Sequence, residues 1–143
     1  MRSLSLEPGD QELIDTAREL IEKRFDPERH HVGVALRGVS GAVYAGVNIE
    51  ARVGRASVCA ETVALGRGLT VGETRFSVIV GLMHPHDEND AVQEIHGGAP
   101  CGACRELLGE LMPDGYVILP VDREFRRVSV VELLPLQHTH ELR

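Results

Sequence analysis

Three cysteines limit the folds open to this 143-residue chain more than any other feature of its sequence. Cys59 stands alone, whereas Cys101 and Cys104 belong to one short segment, Pro-Cys-Gly-Ala-Cys. An odd number of cysteines, behind a polar N-terminal stretch that is no signal peptide, argues against a disulfide framework. Metal binding, catalysis and simple burial remain. If the three thiols act together, the fold must bring two distant segments to one point.

Both cysteine segments are predicted to begin helices. The spacing places the sulfurs of Cys101 and Cys104 on one face of a first helical turn, and Cys59 begins a predicted helix that runs to Leu69. Free backbone N–H groups and the positive end of the helix dipole favour thiolate there, which is the form that binds zinc. Three sulfur ligands leave the fourth tetrahedral position to water, as in catalytic rather than structural zinc sites.

Glu61, two residues after Cys59, completes the pattern. On a helix its carboxylate would project toward the metal without being needed as a ligand. A carboxylate beside zinc-bound water can take up a proton and return it elsewhere. Taken singly, a buried cysteine or an exposed acid at a helix start would explain each residue as well. The order Cys-x-Glu followed by Pro-Cys-x-x-Cys is typical of zinc-dependent deaminases.

The chain resembles the cytidine deaminase family, to which blasticidin S deaminase is related, over about residues 10 to 135. Four segments carry the resemblance: Val32–Leu36, Gly46–Glu50, Val58–Glu61 and Pro100–Arg105. It implies an α/β fold, a three-layer sandwich in which a mixed β-sheet of about five strands is packed by helices on both faces. It also implies one Zn²⁺ per subunit, bound by Cys59, Cys101 and Cys104, with Glu61 as the catalytic proton shuttle.

The resemblance also implies a set of substrate contacts. Asn48 and Glu50 would bind ribose hydroxyls, the backbone N–H of Ala60 the ring carbonyl, and the carbonyl of Ala99 the leaving amine. His30 occupies the position of the family's base-packing phenylalanine. For Asn48 and Glu50, a turn role after a strand is the alternative. The implied function is hydrolytic deamination, in which water converts a cytidine or deoxycytidine-type nucleoside to the uridine form and ammonia is released.

Two other functions remain open at this point. One is deamination of another aminated heterocycle, such as a blasticidin S-like nucleoside antibiotic or a modified base. The other is a non-catalytic, zinc-stabilised binding module, which would have no use for Glu61 or for an open coordination position.

The chain departs from the family where substrate is chosen more than where chemistry is done. Thr62 stands where cytidine deaminases carry an arginine that offsets the charge of three thiolates, so Arg55, Arg105 or additional N–H donors must take over that task. The stretch His84–Ala99 is longer than expected for the family and is predicted to be a surface loop that could wall or cover the pocket. The loop contains three histidines: His84, His86 and His96. They favour a solvated polar loop over a second metal site.

Periodicity and turn residues predict a mixed sheet packed by helices in a single deaminase domain, residues 1–143. The predicted elements are a helix over Asp10–Phe25, strands over Val32–Leu36 and Ala42–Val47, a helix over Cys59–Leu69, a strand over Phe76–Met83, a helix over Pro100–Leu111, a strand over Tyr116–Val121, and a short helix or strand over Val128–Leu134. Asp10 is predicted to cap the first helix, and Phe76–Met83 to be a central strand covered on both faces.

Charge and composition argue against several classes of partner. A net charge of −7 and an aromatic content of only 3% disfavour nucleic acid, which needs clustered basic residues and side chains that stack on bases. No apolar run is long enough to span a membrane, and the cytoplasm is the expected compartment. A small nucleoside-like molecule is the expected substrate. The family resemblance implies a homo-oligomer, a tetramer or a dimer.

Overall fold

The computed structural model describes residues 1–138, in which four α-helices and six β-strands follow one another in mixed order. In chain order they are α1 (Asp10–Arg24), β1 (Val32–Gly38), β2 (Val43–Val47), α2 (Ala60–Thr70), β3 (Phe76–Met83), β4 (His96–Gly97), α3 (Gly102–Leu111), β5 (Tyr116–Val121), β6 (Glu124–Ser129) and α4 (Val130–Leu133). A 3-10 turn, Gly54–Ala56, lies between β2 and α2. No helix in this part of the chain has the length and apolar character needed to cross a bilayer.

The six strands form one mixed sheet in the order β2-β1-β3-β5-β6, with the two-residue β4 paired to the end of β3. β3 and β5 are parallel, and every other neighbouring pair is antiparallel. Parallel strands need a crossover connection, and the chain between β3 and β5 passes through α3. β3 lies at the centre of the sheet, which confirms its prediction as a central strand.

Helices cover both faces of the sheet because alternate strand residues point in opposite directions. Ala35 of β1 and Val80 of β3 belong to a core cluster with α1, whereas their neighbours Leu36 and Ile79 belong to a second cluster with α2 and α3. The buried members of the α1 cluster are Leu13, Ile14, Ala17, Ala35, Val78, Val80, Leu82 and Ile118. The predicted three-layer sandwich is therefore confirmed, with six strands in place of about five.

Two glycines let helices approach the sheet closely. At Gly33 of β1, a Cβ would lie 2.7 Å from the backbone oxygen of Ala17 in α1. At Gly46 of β2, a Cβ would lie 2.8 Å from the backbone nitrogen of Ala64 in α2. Real Cβ atoms do not come so close to backbone, so any other residue would push its helix away from the sheet.

The prediction that Asp10 caps α1 is wrong. Gly9 is the N-cap residue, in a left-handed conformation with φ of 92°, and Asp10 is the first helical residue. The Asp10 carboxylate accepts a hydrogen bond from the backbone N–H of Glu7 and two from the Arg127 guanidinium, at 2.7 and 2.9 Å. Both charged side chains are buried, so Asp10 joins the start of α1 to β6 instead of capping the helix.

The C-terminal elements also differ from the prediction of a short helix or strand over Val128–Leu134. A six-residue strand, β6, begins at Glu124, and α4 follows directly at Val130. β5 and β6 are joined by a two-residue turn at Asp122 and Arg123, whose φ angles are 51° and 70°. Turns with two positive φ angles favour Asn-Gly, so Asp-Arg gave no indication of a hairpin.

Candidate metal centre and substrate cavity

The starts of α2 and α3 bring the three cysteines together. Cys59 is the N-cap residue of α2 and Cys101 that of α3, and Cys104 lies on the first turn of the same helix. The Sγ atoms of Cys59 and Cys101 are 3.7 Å apart, and all three sulfurs lie within 4.8 Å of one another. Sulfurs around a tetrahedral zinc ion, with bonds of about 2.3 Å, stand about 3.8 Å apart. One ion therefore fits between them.

The three thiols differ in how readily they ionise. Burial raises the pKa of the Cys104 thiol, and the nearby Glu61 carboxylate raises it further. Burial also raises the pKa of Cys59, as does its hydrogen bond with Cys101. At Cys101 burial acts in the same direction, but hydrogen bonds from the backbone N–H groups of Cys104 and Ala103 help to outweigh it, and the pKa is lowered. Only the start of α3 lowers a thiol pKa, that of Cys101, whereas the expectation that the helix starts favour thiolate fails at Cys59 and Cys104. A divalent cation would stabilise all three thiolates.

Glu61 stands on the first turn of α2, next to the sulfurs but outside the group that could hold an ion. Its Oε2 is 3.7 Å from the Sγ of Cys104. Gly81 in β3 lies beside the carboxylate, and a Cβ there would be in ordinary van der Waals contact with Oε1, at 3.6 Å. A carboxylate in this place can exchange protons with a molecule at the fourth coordination position.

The donor set selects the metal. Thiolates are soft ligands, and tetrahedral sites rich in cysteine are typical of zinc. Within residues 1–138 the group contains three protein ligands and no fourth, which is the arrangement of catalytic rather than structural zinc. Cys59, Cys101 and Cys104 form a metal-binding group, and Zn²⁺ is its cofactor, as the sequence predicts.

A cavity of about 260 Å³ opens beside the cysteines, close to the lower limit for small-molecule sites. Its wall contains these predicted site residues: Asn48, Glu50, Cys59, Ala60, Glu61, Ala99 and Cys101. Aliphatic side chains supply much of the remaining wall, among them Val32, Ile49, Val58 and Met83. One wall thus combines two metal-binding cysteines, the Glu61 carboxylate and polar side chains with an apolar surface.

Two relatives match nearly the whole chain, although no family model matches it. The chain is 36% identical over 140 residues to the blasticidin-S deaminase of Bacillus cereus, covering 97% of this chain and 99% of the relative. It is 34% identical over 134 residues to a cytidine deaminase of Halalkalibacterium halodurans, covering 92% and 95%. The chain belongs to the cytidine deaminase family.

Solved structures agree with this family. The cytidine deaminase from Burkholderia pseudomallei superposes with a TM-score of 0.72 at 32% identity, covering 90% of this chain and 98% of that one. The cytidine deaminase from Bacillus anthracis gives a TM-score of 0.75 at 25% identity, with 93% and 91% covered. As a member of the cytidine deaminase family with three cysteines in place, the chain is a zinc-type deaminase, a hydrolase acting on C–N bonds.

His30 is the predicted substrate contact that the structure of this deaminase places outside the cavity wall. Its Nδ1 is 2.7 Å from the backbone oxygen of Asn48. The next residue, His31, lines the cavity instead. Adjacent residues at the start of a strand point to opposite sides, so the pair His30-His31 does not itself show which of the two faces the site. For this reason His31 is not identifiable as a cavity residue from the sequence alone.

Both ends of the loop predicted over His84–Ala99 reach the cavity wall of the deaminase. The N–H of His84 donates to the backbone oxygen of His31 at 2.8 Å, and the His86 ring packs on the His31 ring with centroids 4.2 Å apart. At the other end, Gly98 and Ala99 line the cavity after the short strand β4, which the sequence analysis did not predict. The loop therefore forms part of the wall.

The histidines of this loop form no second metal site in the described part of the chain. The His84 ring stacks on Phe25 with centroids 3.6 Å apart, and Nδ1 of His86 is 3.6 Å from the carboxylate of Asp90. His96 is paired through Nδ1 with the backbone oxygen of Glu94 at 3.0 Å. Within residues 1–138 the cysteine group is the one set of His, Cys, Asp or Glu that could hold an ion.

Neither candidate arginine donates a hydrogen bond to a cysteine sulfur within residues 1–138. Arg105 donates through Nε to the backbone oxygen of Pro100, at 2.9 Å, and through Nη1 to that of Leu133, at 3.3 Å. Arg55 is exposed in the 3-10 turn. Additional N–H donors, the predicted alternative to an arginine, are present in the backbone at the start of α3. The N–H groups of Ala103 and Cys104 donate hydrogen bonds to Cys101 there.

Proposed function

We propose that this chain hydrolyses the ring amino group of cytidine or deoxycytidine, giving the uridine form and ammonia. The observation that supports this most directly is a single cavity whose wall holds two of the metal-binding cysteines, Cys59 and Cys101, together with Glu61, Asn48 and Glu50. The cysteines and Glu61 suit hydrolysis at an aminated ring, and the other two side chains suit a sugar with hydroxyl groups. A non-catalytic zinc module would need neither feature.

Glu61 carries the protons in this proposal. Zinc, when bound, supplies a Lewis acid that lowers the pKa of water. Glu61 accepts a proton from the attacking water and passes it to ring N3 as the new C–O bond forms. It then takes the second proton from the same oxygen and delivers it to the amine, which leaves as ammonia when the C–N bond breaks. Its place 3.7 Å from the Cys104 sulfur keeps the carboxylate beside the metal group without making it a ligand.

Backbone groups of the cavity wall orient the ring. Ala60 is the first residue of α2, so its N–H is one of those that a helix start leaves without an intrahelical partner, and it donates to the ring carbonyl. Ala99 lies directly before the cysteine segment of α3, and its carbonyl accepts a hydrogen bond from the amine. The two interactions place the carbon that bears the amino group toward the metal.

A blasticidin S-like nucleoside is the second candidate substrate. The observation that favours it is the 36% identity to the Bacillus cereus blasticidin-S deaminase over nearly the full length of both chains. The cavity wall described within residues 1–138 also contains no phenylalanine, tyrosine or tryptophan, so ring packing would fall to Val32, Ile49 and Met83.

A substrate panel tests the proposal. Zinc-loaded protein is incubated with cytidine, deoxycytidine, blasticidin S, free cytosine and adenosine, and ammonia release is measured. We expect ammonia from the first two and none from adenosine. Release from blasticidin S alone would move the assignment to the second candidate. Stoichiometric zinc with no ammonia from any of the five compounds would contradict a deaminase and favour the binding module.

The proposal includes a single domain that acts in the cytoplasm as a homo-oligomer, a tetramer or a dimer, on a small molecule rather than on nucleic acid or a membrane. Light scattering across a range of protein concentrations tests the assembly. Retention on single-stranded DNA at moderate salt would contradict the absence of a nucleic-acid partner, since a net charge of −7 provides little attraction to phosphates.

A further inference from the structure

The side chain of Asn48 fixes the hydrogen-bonding role of His31. Asn48, which is 6% exposed, accepts through Oδ1 the backbone N–H groups of His31, at 2.8 Å, and Val32, at 2.9 Å. Because these two donors identify the amide oxygen, the atom 3.1 Å from His31 Nδ1 is the amide nitrogen. An amide nitrogen only donates, so Nδ1 of His31 accepts and the proton of the neutral ring lies on Nε2.

The surroundings of His31 favour this neutral form. Burial lowers the pKa of its imidazole, and the charge that His86 and His30 can carry lowers it further. The carboxylates of Glu50 and Asp90 act in the opposite direction without reversing the shift. Near neutral pH the ring therefore presents one acceptor, already used by Asn48, and one donor.

That donor has no protein partner in the described part of the chain. No hydrogen bond within residues 1–138 involves His31 Nε2. Every buried side-chain nitrogen or oxygen atom of the described residues has a hydrogen-bond partner, so an unbonded Nε2 must be accessible to solvent. The ring is nevertheless held in place, by Asn48 at Nδ1 and by the His86 ring 4.2 Å away. His31 lines the same cavity as Glu50. An immobilised, unused donor beside a carboxylate is suited to binding a hydroxyl group.

We propose that His31 is a substrate-positioning residue, which donates from Nε2 to a hydroxyl oxygen on the sugar of the nucleoside. This inference rests on the proposed function and adds a donor to Asn48 and Glu50 at the same sugar. The loop after β3 takes part, because His86 packs on the ring that donates. The long loop thereby affects substrate binding through His31, the residue directly before β1. The loop's own histidines do not contact the ligand.

Kinetics with a series of sugars test the inference. Native protein and the variant His31→Phe are compared on cytidine and on its 2′-deoxy, 3′-deoxy and 5′-deoxy analogues. On cytidine we expect His31→Phe to lower kcat/KM about 3- to 10-fold, mainly through KM, as for loss of one neutral hydrogen bond. On the analogue that lacks the bonded hydroxyl, the same substitution should change kcat/KM less than about twofold.

Two further variants separate donation from folding. His31→Gln carries an N–H donor near the position of Nε2 and should recover part of the loss, whereas His96→Phe, the same change outside the cavity wall, should behave as the native protein on all four substrates. Zinc content and thermal stability are measured for each variant. Because a folding defect affects all sugars alike, only a deficit that depends on one hydroxyl supports a positioning role.

An equal deficit of His31→Phe on all four nucleosides would overturn the inference, even with deamination established. Absence of ammonia from native protein would instead refute the proposed function. In that case the same comparison is made by binding, without turnover. The dissociation constants of the four nucleosides are measured for zinc-loaded Glu61→Gln protein and for the double variant that also carries His31→Phe. Dissociation constants that His31→Phe leaves unchanged, or raises equally for all four, would overturn the inference on this second measurement.

Discussion

Replacement of Glu61 by glutamine is expected to leave the metal centre intact and to remove most of the turnover. Glutamine has the size of glutamate, so it fits in the same place beside Gly81 and Cys104, whose sulfur is 3.7 Å from Oε2. Packing is therefore preserved. An amide, however, cannot accept a proton and return it near neutral pH.

The size of the effect follows from the number of proton transfers. A positioned acid or base typically contributes about 10²- to 10⁴-fold to a rate. Because Glu61 is assigned two transfers in one cycle, we expect kcat to fall by about 10³- to 10⁴-fold, which corresponds to about 4 to 5 kcal/mol in the activation barrier. KM should change little, since the proposed sugar contacts come from other residues.

Ammonia release at saturating substrate, with equal zinc content established by metal analysis, measures this loss. The matched control is Glu22→Gln, which makes the same change at an exposed position of α1, the helix on the opposite face of the sheet. A fully zinc-loaded Glu61→Gln protein whose kcat stays within about tenfold of the native value would refute the assignment of proton transfer to this carboxylate.

Two further predictions concern the metal and the fold. Cys104→Ser should lower zinc affinity by more than about 100-fold, which exceeds the effect of losing a hydrogen bond to a metal ligand. Metal titration with a chromogenic chelator measures the affinity, and an unchanged value would remove Cys104 from the ligand set. Asp10→Asn should lower the free energy of unfolding by about 3 kcal/mol, because it removes the buried carboxylate that pairs with the Arg127 guanidinium and leaves only the exposed Glu7 as a charged partner; urea denaturation measures it. Burial raises the pKa of Asp10, but hydrogen bonds from Arg127 and from the Glu7 N–H outweigh it, so the pKa is lowered below 3.8. The stabilisation from ionised Asp10 is therefore present above about pH 4 and is lost as the pH falls through the folded-state pKa. An unfolding curve whose acid dependence is the same in Asp10→Asn and native protein would contradict this account.

The sequence predicts the central part of the fold because hydrophobic periodicity and burial act together there. Phe76–Met83 is almost continuously apolar, and in the structure it is a strand covered on both faces. The edge strand β6 lacks that property, since Glu124, Arg126 and other polar side chains interleave with its buried positions. Its pairing depends on a tight turn and on contacts distant in sequence, which composition does not reveal.

The candidate site divides in the same way. The cysteine group is predictable because a metal ion demands given atoms at given spacings. Asp10 was assigned to a helix cap because local chemistry favours acids there, whereas its partner Arg127 lies more than a hundred residues away. The role of His31 depends on which of the residues before β1 faces the cavity. The loop that packs on His31 has no periodic sequence pattern that would predict the course of its backbone.

The close packing of α2 on Gly46 makes the geometry of the metal centre depend on a residue outside the cavity wall. A methyl group there would meet the backbone of α2 and displace the segment that carries both Cys59 and Glu61. Variants at this glycine would therefore be expected to fold and yet hold the reacting atoms at the wrong separation. Engineering of the cavity for other substrates must keep this inner contact fixed while the outer wall is changed.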